Sequence, residues 1–198
     1  MSSKNVETYK LAKGLEISRA VTGLWQIADM EKDGNTLDPV NTAKFMAPYA
    51  ASGLFTFDMA DHYGSAEIIA GTFKKNQSEG PKARLLTKWV PKPGPVTRDQ
   101  VREAVQARLD RLQVKKVDLL QYHAWKFSNP YWLDALIYLQ ELKEEGLIGA
   151  IGTTNFDTAH LRIAKSSGVD LVSNQISYSL VDRRGGGRHR AFRRWIDQ

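Results

Sequence analysis

The sequence predicts an α/β fold in which six apolar strands alternate with amphipathic helices. Three observations support this prediction: the strand–helix step recurs along the chain, the strands are near-continuous apolar runs, and polar residues follow several strands at one end. Near-continuous apolar runs are expected where helices cover a parallel sheet. The predicted strands are Ala20–Leu24, Leu54–Asp58, Arg84–Trp89, Val117–His123, Ile148–Thr153 and Leu171–Gln175. The predicted helices are Pro39–Ala51, Ala66–Lys75, Arg98–Leu112, Tyr131–Glu145 and Thr158–Ser167.

The boundaries of these elements follow from local signals. Before the first strand, Tyr9–Ile17 predicts a hairpin plug, because Lys13-Gly14 separates two short arms of alternating apolar residues. The clearest helical stripe consists of Val101, Val105, Leu109 and Leu112. Helix ends are marked by Gly53, Gly146 and Gly168, and one helix start is marked by Asp157 as the predicted N-cap.

Alternation alone does not separate a barrel from a doubly wound sheet. The doubly wound alternative favours G-x-G-x-x-G after its first strand, and the sequence has no such motif there. Gly146, Gly149 and Gly152 have the spacing G-x-x-G-x-x-G, but they straddle a strand instead of opening a helix. We interpret this second pattern as close backbone packing.

The composition is that of a globular chain, with 42% apolar and 25% charged residues. The sequence contains no cysteine, which excludes disulfides, thiolate metal sites and a cysteine nucleophile. It has no apolar run long enough to span a membrane, and Met1–Lys10 lacks the apolar stretch of a secretory signal. A cytoplasmic protein without a membrane partner is therefore the expectation.

Most of the net charge of +6 lies in the last residues of the chain. Residues 183–198 contain six arginines and one acid, Asp197, so they carry +5 and the other 182 residues carry only +1. The nearly neutral body predicts no specific nucleic-acid partner, although the tail could bind a polyanion non-specifically. We interpret residues 1–182 as the barrel domain. The Gly/Arg-rich segment 183–198 is either a basic arm or, as we prefer, a non-native or disordered tail that follows a truncation.

Four polar residues are predicted to meet at the carboxyl ends of three consecutive strands. Asp58 ends one strand, with Tyr63 five positions later, while Lys88 and His123 lie at the ends of the next two. Each could have an ordinary role, as a loop cap, a pocket wall, a solvated strand end or a core histidine. Because residues at the carboxyl ends of barrel strands converge on one rim, we interpret the four together as a proton-transfer set.

The types of these four residues indicate a reaction. A free tyrosine has a pKa near 10, and a neighbouring lysine ammonium is expected to lower it by stabilising the phenolate. A carboxylate paired with the lysine would keep the ammonium charged, and a histidine could orient a carbonyl oxygen. A tyrosine proton donor without a cluster of metal ligands favours carbonyl reduction, with hydride supplied by a cofactor.

The motifs that contain these residues resemble those of aldo-keto reductases, in the family's order from about Gly14 to Asp182. They are F-D-M-A-D-H-Y-G-S-A-E (57–67), T-K-W (87–89), D-L-L-Q-Y-H (118–123), L-K-E-E-G-L-I-G-A-I-G-T-T-N-F (142–156) and S-N-Q (173–175). Several stretches are similar to plant and algal members in particular. The resemblance implies an incomplete (β/α)8 TIM barrel with about six of its eight strands.

The same resemblance implies a function and a set of site residues. By it, Asp58, Tyr63, Lys88 and His123 form a catalytic tetrad, with Tyr63 as the general acid for NADPH-dependent reduction of aldehydes or ketones. Thr154, Asn155 and Gln175 match positions that hold the nicotinamide carboxamide, and threonine replaces the family's serine. Trp25 and Trp125 match positions that line the substrate pocket, although each could also be a core aromatic. No metal ligand is implied.

The chain departs from the family pattern in its length. A complete barrel has eight strands, and its phosphate site lies in the loops after strands seven and eight, whereas this sequence departs from the pattern after Asp182. Two expectations follow: weakened binding of the adenosine 2′-phosphate, and open strand edges that favour self-association. The alternative to an active reductase is therefore a truncated, catalytically impaired pseudoenzyme that acts through a partner or through itself.

Overall fold

The computed structural model describes residues 6–181, which begin with a hairpin. Strand β1 (Thr8–Ala12) pairs antiparallel with β2 (Leu15–Ser18) across the turn that contains Gly14, whose φ of 77° requires the left-handed conformation. The predicted hairpin is confirmed. It lies under the main sheet, where Leu15 packs with Leu86, Leu119 and Ala150 in a small apolar cluster. The hairpin therefore closes the amino-terminal end of the sheet, away from the rim that carries the polar residues.

The main sheet consists of six parallel strands in the order β3-β4-β5-β6-β7-β8, which is also their order along the chain. This sequential order is that of a barrel and not of a doubly wound sheet, because in the latter the order reverses at a switch point. The six strands are β3 (Thr22–Gly23), β4 (Thr56–Asp58), β5 (Arg84–Trp89), β6 (Leu119–His123), β7 (Ile151–Thr154) and β8 (Leu171–Gln175).

Helices follow the strands and cover the outside of the sheet. They are α1 (Trp25–Met30), α2 (Pro39–Ala43), α3 (Ala47–Ala51), α4 (Ala66–Asn76), α5 (Arg98–Leu112), α6 (Tyr131–Glu144) and α7 (Thr158–Ser166), with single 3-10 turns at Lys32–Gly34 and Lys44–Met46. The stripe predicted on α5 is buried, and Asp157 caps α7 by accepting a hydrogen bond from the backbone N–H of His160. The three glycines predicted after helix ends all have positive φ.

Several predicted bounds were wrong. Strands β4, β6 and β7 begin two or three residues later than predicted, at Thr56, Leu119 and Ile151. The predicted helix Pro39–Ala51 is broken into α2, a 3-10 turn and α3, because Pro48 has no N–H to donate and its ring crowds the preceding turn. The first strand pairs only at β3, which is two residues long. Immediately after it, the sequence analysis missed helix α1, which begins at Trp25 and has no side-chain cap at its start.

Two glycines of the 146–152 pattern allow backbones to approach closely, as interpreted from the sequence. A Cβ on Gly149 would lie 2.9 Å from the carbonyl oxygen of Asp118, and one on Gly152 would lie 2.3 Å from Ser173 Oγ. The first contact is with backbone that cannot rotate away. The pattern therefore allows close packing between strands.

The sheet has two edges within residues 6–181. Strand β3 pairs only with β4, and β8 pairs only with β7, so the six strands form an open portion of a barrel. The predicted basic tail lies outside the described residues. None of the helices between residues 6 and 181 combines the length and the apolar character that crossing a membrane requires.

Candidate active site

The carboxyl ends of the parallel strands bring most of the predicted site residues to one rim. Asp58, His123, Thr154 and Gln175 are the last residues of β4, β6, β7 and β8, and Lys88 is the last but one residue of β5. Parallel register places Asp58 beside Leu86, and Lys88 beside Gln121. Tyr63 lies in the loop between β4 and α4.

A buried ion pair is at the centre of this rim. Lys88 Nζ donates a short hydrogen bond to Asp58 Oδ2 and a second one, of 3.2 Å, to the carbonyl oxygen of Met59. The side chains of Lys88 and Asp58 are only 5% and 13% exposed. At such burial an ammonium needs a close counter-charge, because desolvation would otherwise favour its neutral form. Asp58 supplies that charge.

Gln121 is a residue of this site that the sequence analysis missed. Its Nε2 donates a hydrogen bond of 2.9 Å to Asp58 Oδ1, the carboxylate oxygen that Lys88 does not bind. Gln121 is 2% exposed and lies on β6, which is separated from the strand of Asp58 by β5. It fixes the orientation of the carboxylate. The sequence feature that could have predicted this role is a polar glutamine inside the apolar strand motif D-L-L-Q-Y-H.

Tyr63 lies close to the ion pair and against an aromatic wall. Lys88 Nζ is 5.7 Å from the centre of the Tyr63 ring, and the Trp25 and His62 rings each meet that ring edge-on at 4.8 Å. Burial raises the pKa of Tyr63 above its ordinary value, and the negative charges of Asp58 and Asp61 raise it further. The net shift of the Tyr63 pKa is therefore upward, opposite to the direction expected from Lys88 alone.

His123 faces the same rim. Burial lowers the pKa of His123, and the positive charges of Lys88 and His62 add to this, while Asp61 opposes it. The imidazole is therefore neutral at neutral pH. Its ring lies 4.5 Å from the ring of Trp125.

The lowered pKa of His123 predicts how stability depends on pH. Because the charged imidazole is disfavoured in the folded chain, the stabilisation that comes from neutral His123 is complete above the ordinary pKa near 6.5 and is lost as pH falls through the folded pKa. Chemical denaturation of the parent and of His123→Gln across this range should show a steeper acid loss in the parent. Parallel curves for the two proteins would contradict the assignment.

The two tryptophans predicted to line a pocket are at the surface of the rim and not in the core. Trp25 is 48% exposed and touches Tyr63, whereas Trp125 is 66% exposed and touches His123. The alternative that they are core aromatics is thus wrong. Each tryptophan thus contacts one of the predicted tetrad residues.

The three residues predicted to hold a nicotinamide carboxamide lie together at the ends of β7 and β8. Thr154 pairs in register with Gln175, and the backbone N–H of Asn155 donates a 2.8 Å hydrogen bond to the carbonyl oxygen of Gln175. Asn155 adopts a φ of 59°, a left-handed conformation that asparagine tolerates better than most residues. Within residues 6–181, Thr154 Oγ1 is buried and has no hydrogen-bond partner. A buried hydroxyl without a partner is unusual, and it fits a polar ligand group at this position.

A second charged network lies behind the rim, and the sequence analysis missed it. Glu67 is fully buried at the start of α4, where it accepts a hydrogen bond from Thr87 Oγ1 at 2.6 Å. Its carboxylate also forms ion pairs with Arg108 at 3.2 Å and with Arg111 at 2.8 Å, both on α5. Arg108 Nη1 lies 3.5 Å from Asp61 Oδ2, which connects this network to the loop that carries Tyr63.

No group of three or more histidine, aspartate or glutamate side chains in the described residues has an arrangement that could hold a metal ion. Residues 20–192 match the aldo/keto reductase family. The chain belongs to that family. The motif order of the sequence, the sequential parallel sheet and the polar rim agree with this assignment.

Several relatives of this chain have names that specify a reductase. The chain is 32% identical over 148 residues to the chloroplastic pyridoxal reductase of Arabidopsis thaliana, covering 66% of this chain and 40% of that protein. It is 32% identical over 196 residues to the 6-dehydroglucose reductase of Agrobacterium fabrum, covering 86% and 61%. It is also 36% identical over 89 residues to the NADH-specific methylglyoxal reductase of Escherichia coli, covering 43% and 26%. The chain thus spans only part of the length of these relatives.

Solved structures agree with the fold of this chain. A thermostable aldo-keto reductase crystallised with the inhibitor epalrestat superimposes with a TM-score of 0.76 at 25% identity, covering 92% of this chain and 66% of that one. The Brucella melitensis enzyme gives 0.70 at 28% identity, covering 88% and 64%. The Bombyx mori aldo-keto reductase, solved in complex with NADP, shares the fold at 24% identity with a TM-score of 0.68, covering 88% and 59%.

Proposed function

We propose that this chain carries the catalytic rim of an NADPH-dependent carbonyl reductase, which converts aldehydes or ketones to alcohols. The observation that supports this most strongly is the convergence of Tyr63, the Lys88–Asp58 ion pair and His123 in front of two exposed tryptophans. This arrangement combines a phenol, a fixed cation and a neutral imidazole at the carboxyl ends of neighbouring strands. Those are the groups that reduction of a carbonyl requires on its oxygen side.

In this proposal Tyr63 is the proton donor. Because burial and two carboxylates raise its pKa, the hydroxyl is protonated at neutral pH and can give its proton to the carbonyl oxygen as negative charge develops there. Lys88 Nζ, 5.7 Å from the ring centre, then stabilises the phenolate that remains. Asp58 holds the ammonium in place, and Gln121 holds Asp58.

His123 has an orienting role. Its neutral imidazole can donate one hydrogen bond to the same carbonyl oxygen, and it adds no second positive charge beside Lys88. Trp25 and Trp125 would exclude water from the two sides of the substrate carbonyl. Their exposure in the described chain leaves their faces free for an apolar substrate group.

The nicotinamide cofactor would be held at the ends of β7 and β8. Thr154 Oγ1 lacks a partner there, and the side chains of Asn155 and Gln175 are exposed beside it, so a carboxamide group has both donors and acceptors available. When bound, the reduced cofactor supplies the hydride that the protein itself cannot provide. We propose NADPH and not NADH as this cofactor. The preference needs its own test, since one relative is named as NADH-specific.

Three relatives are named for the reduction of pyridoxal, methylglyoxal or 6-dehydroglucose. We therefore propose a small carbonyl compound as the substrate class. A cytoplasmic location also stays a prediction, because the Arabidopsis relative is named as chloroplastic.

The function is tested by binding and by turnover measured separately. Titration with NADPH should quench the intrinsic tryptophan fluorescence, and consumption of NADPH should accelerate when 4-nitrobenzaldehyde is added. Parallel titrations with NADH would show the cofactor preference. Quenching without aldehyde-dependent consumption would contradict the reductase proposal and favour the impaired alternative.

That alternative has one structural observation in its favour. Strands β3 and β8 both have an unpaired edge within residues 6–181, and unpaired edges are templates for association. The alternative predicts a concentration-dependent oligomer in analytical ultracentrifugation, with weak or no NADPH quenching. A monomer that binds NADPH would exclude it.

A further inference from the structure

The turn that carries Tyr63 is held from one side by a carboxylate outside the predicted tetrad. Glu31 directly follows helix α1, the helix that begins at Trp25. Its Oε2 accepts a hydrogen bond of 2.7 Å from the backbone N–H of Ser65, and its Oε1 accepts a short one from Ser65 Oγ. The backbone N–H of Leu37 adds a third, at 3.2 Å. One side chain thus ties α1 to the turn that contains Tyr63.

The ionisation of Glu31 matches this set of donors. Burial on its own would raise the pKa of Glu31, but the hydrogen bonds from Ser65 and Leu37 and the charge of Arg111 leave it below its ordinary value. An ionised carboxylate is an acceptor only, and all three of its protein partners are donors. Glu31 is therefore ionised at neutral pH and can accept all three hydrogen bonds.

The same turn is also held by Arg111. Its Nη2 donates a short hydrogen bond to the carbonyl oxygen of Gly64, while its Nε donates to the fully buried carboxylate of Glu67 at 2.8 Å. Because Glu67 is held in the charged network between α4 and α5, its ion pair with Arg111 fixes the position of the Arg111 guanidinium. The turn is therefore bound at two backbone groups: the Glu31 carboxylate accepts from the N–H of Ser65, and the Arg111 guanidinium donates to the carbonyl oxygen of Gly64.

Gly64 leaves the space that the Glu31 carboxylate occupies beside the turn. It has a φ of 51°, and a Cβ on it would lie 1.9 Å from Glu31 Oε2. Any side chain at position 64 would displace the carboxylate from Ser65. The sequence Tyr63-Gly64-Ser65 is therefore matched to Glu31.

We propose that Glu31 is a positioning residue, which fixes Trp25 and Tyr63 relative to each other so that the substrate wall and the proton donor move as one unit. This inference rests on the reductase function proposed above. Trp25 and Tyr63 are already in ring contact at 4.8 Å, and Glu31 fixes the backbone on which each ring is mounted. Glu31 acts on the reaction only through these two residues.

The first test needs no turnover. With a carbon-13 label on the tyrosine phenol carbon, the Tyr63 signal is identified by its loss in Tyr63→Phe, and its ionisation is followed by NMR while circular dichroism confirms that the fold persists. In Glu31→Ala the turn should loosen and Tyr63 should become more exposed, so its titration midpoint should fall toward the ordinary value near 10. Glu7→Ala is the matched control, since Glu7 forms an exposed ion pair with Arg19 at the hairpin. An unchanged Tyr63 midpoint in Glu31→Ala would overturn the inference.

The second test separates positioning from stability and from the reductase proposal itself. Glu31→Ala should lower kcat by roughly tenfold to a hundredfold through misplacement of the donor and should raise KM for the aldehyde, with NADPH affinity unchanged. Glu31→Gln, which keeps one accepting oxygen, should recover part of the loss. Gly64→Ala should cause a smaller loss in the Glu31→Ala background than in the parent, because the clash with the carboxylate no longer exists and only the strain of the positive φ remains. If Tyr63→Phe loses activity but Glu31→Ala loses only thermal stability, the positioning role is wrong and the reductase function stands; if Tyr63→Phe keeps activity, the reductase function is wrong.

Discussion

Tyr63→Phe is expected to reduce carbonyl turnover by about 10²–10⁴-fold while NADPH affinity barely changes, because general acid catalysis contributes an effect of that size. The substitution removes only the hydroxyl and keeps the ring that contacts Trp25 and His62. The loss should therefore appear in kcat and not in cofactor binding. Steady-state kinetics with a broad aldehyde and fluorescence titration with NADPH measure the two quantities separately.

A second tyrosine, which is buried, provides the control for this prediction. Tyr122 lies on β6, is 4% exposed and packs its ring edge-on against Trp89 at 5.7 Å. Tyr122→Phe also removes one phenol hydroxyl, and it should leave turnover close to that of the parent. Retention of most turnover in Tyr63→Phe would remove the tyrosine from its proposed role.

Lys88→Met is expected to produce the second large effect, a loss of activity with a shifted pH profile. Without the ammonium, the phenolate of Tyr63 loses its nearest cation, so the already raised pKa of Tyr63 should rise further. Asp58→Asn should cost less activity, because the amide oxygen can still accept a hydrogen bond from Lys88. Asp58→Ala removes that acceptor as well and should destabilise the fold by about 3–5 kcal/mol, since it leaves a buried charge unpaired.

The pair of Lys74 and Asp118 separates these effects from loss of an ion pair in general. Lys74 Nζ lies 2.6 Å from Asp118 Oδ2, with the two side chains 22% and 14% exposed, at the opposite end of the strands from Tyr63. Lys74→Met should lower the free energy of unfolding without moving the pH profile of kcat. The proposed hierarchy is wrong if Asp58→Asn damages turnover more than Lys88→Met does.

The sequence by itself determined the alternation of strands and helices and the end of the sheet at which the polar residues lie. Strands β5 and β8 and helix α5 have the bounds that were predicted from apolar runs and caps. These features depend on local periodicity and on the chirality of the parallel β–α unit, so they can be predicted without knowledge of long-range contacts. The family motifs predicted the four tetrad residues for the same reason, since each occupies a fixed position relative to a strand end.

Only the tertiary structure decided how these residues affect one another. Three features arise between segments that are distant in sequence. They are the upward shift of the Tyr63 pKa, the hydrogen bond from Gln121 to Asp58, and the hydrogen bonds of Glu31 and Arg111 to residues 64–65. Burial and Coulomb interactions depend on distance in space, and the spacing of residues along a chain does not specify that distance. The residue types therefore predicted which groups could react, while the packing of α1, α4 and α5 around the rim determined their ionisation and their mutual orientation.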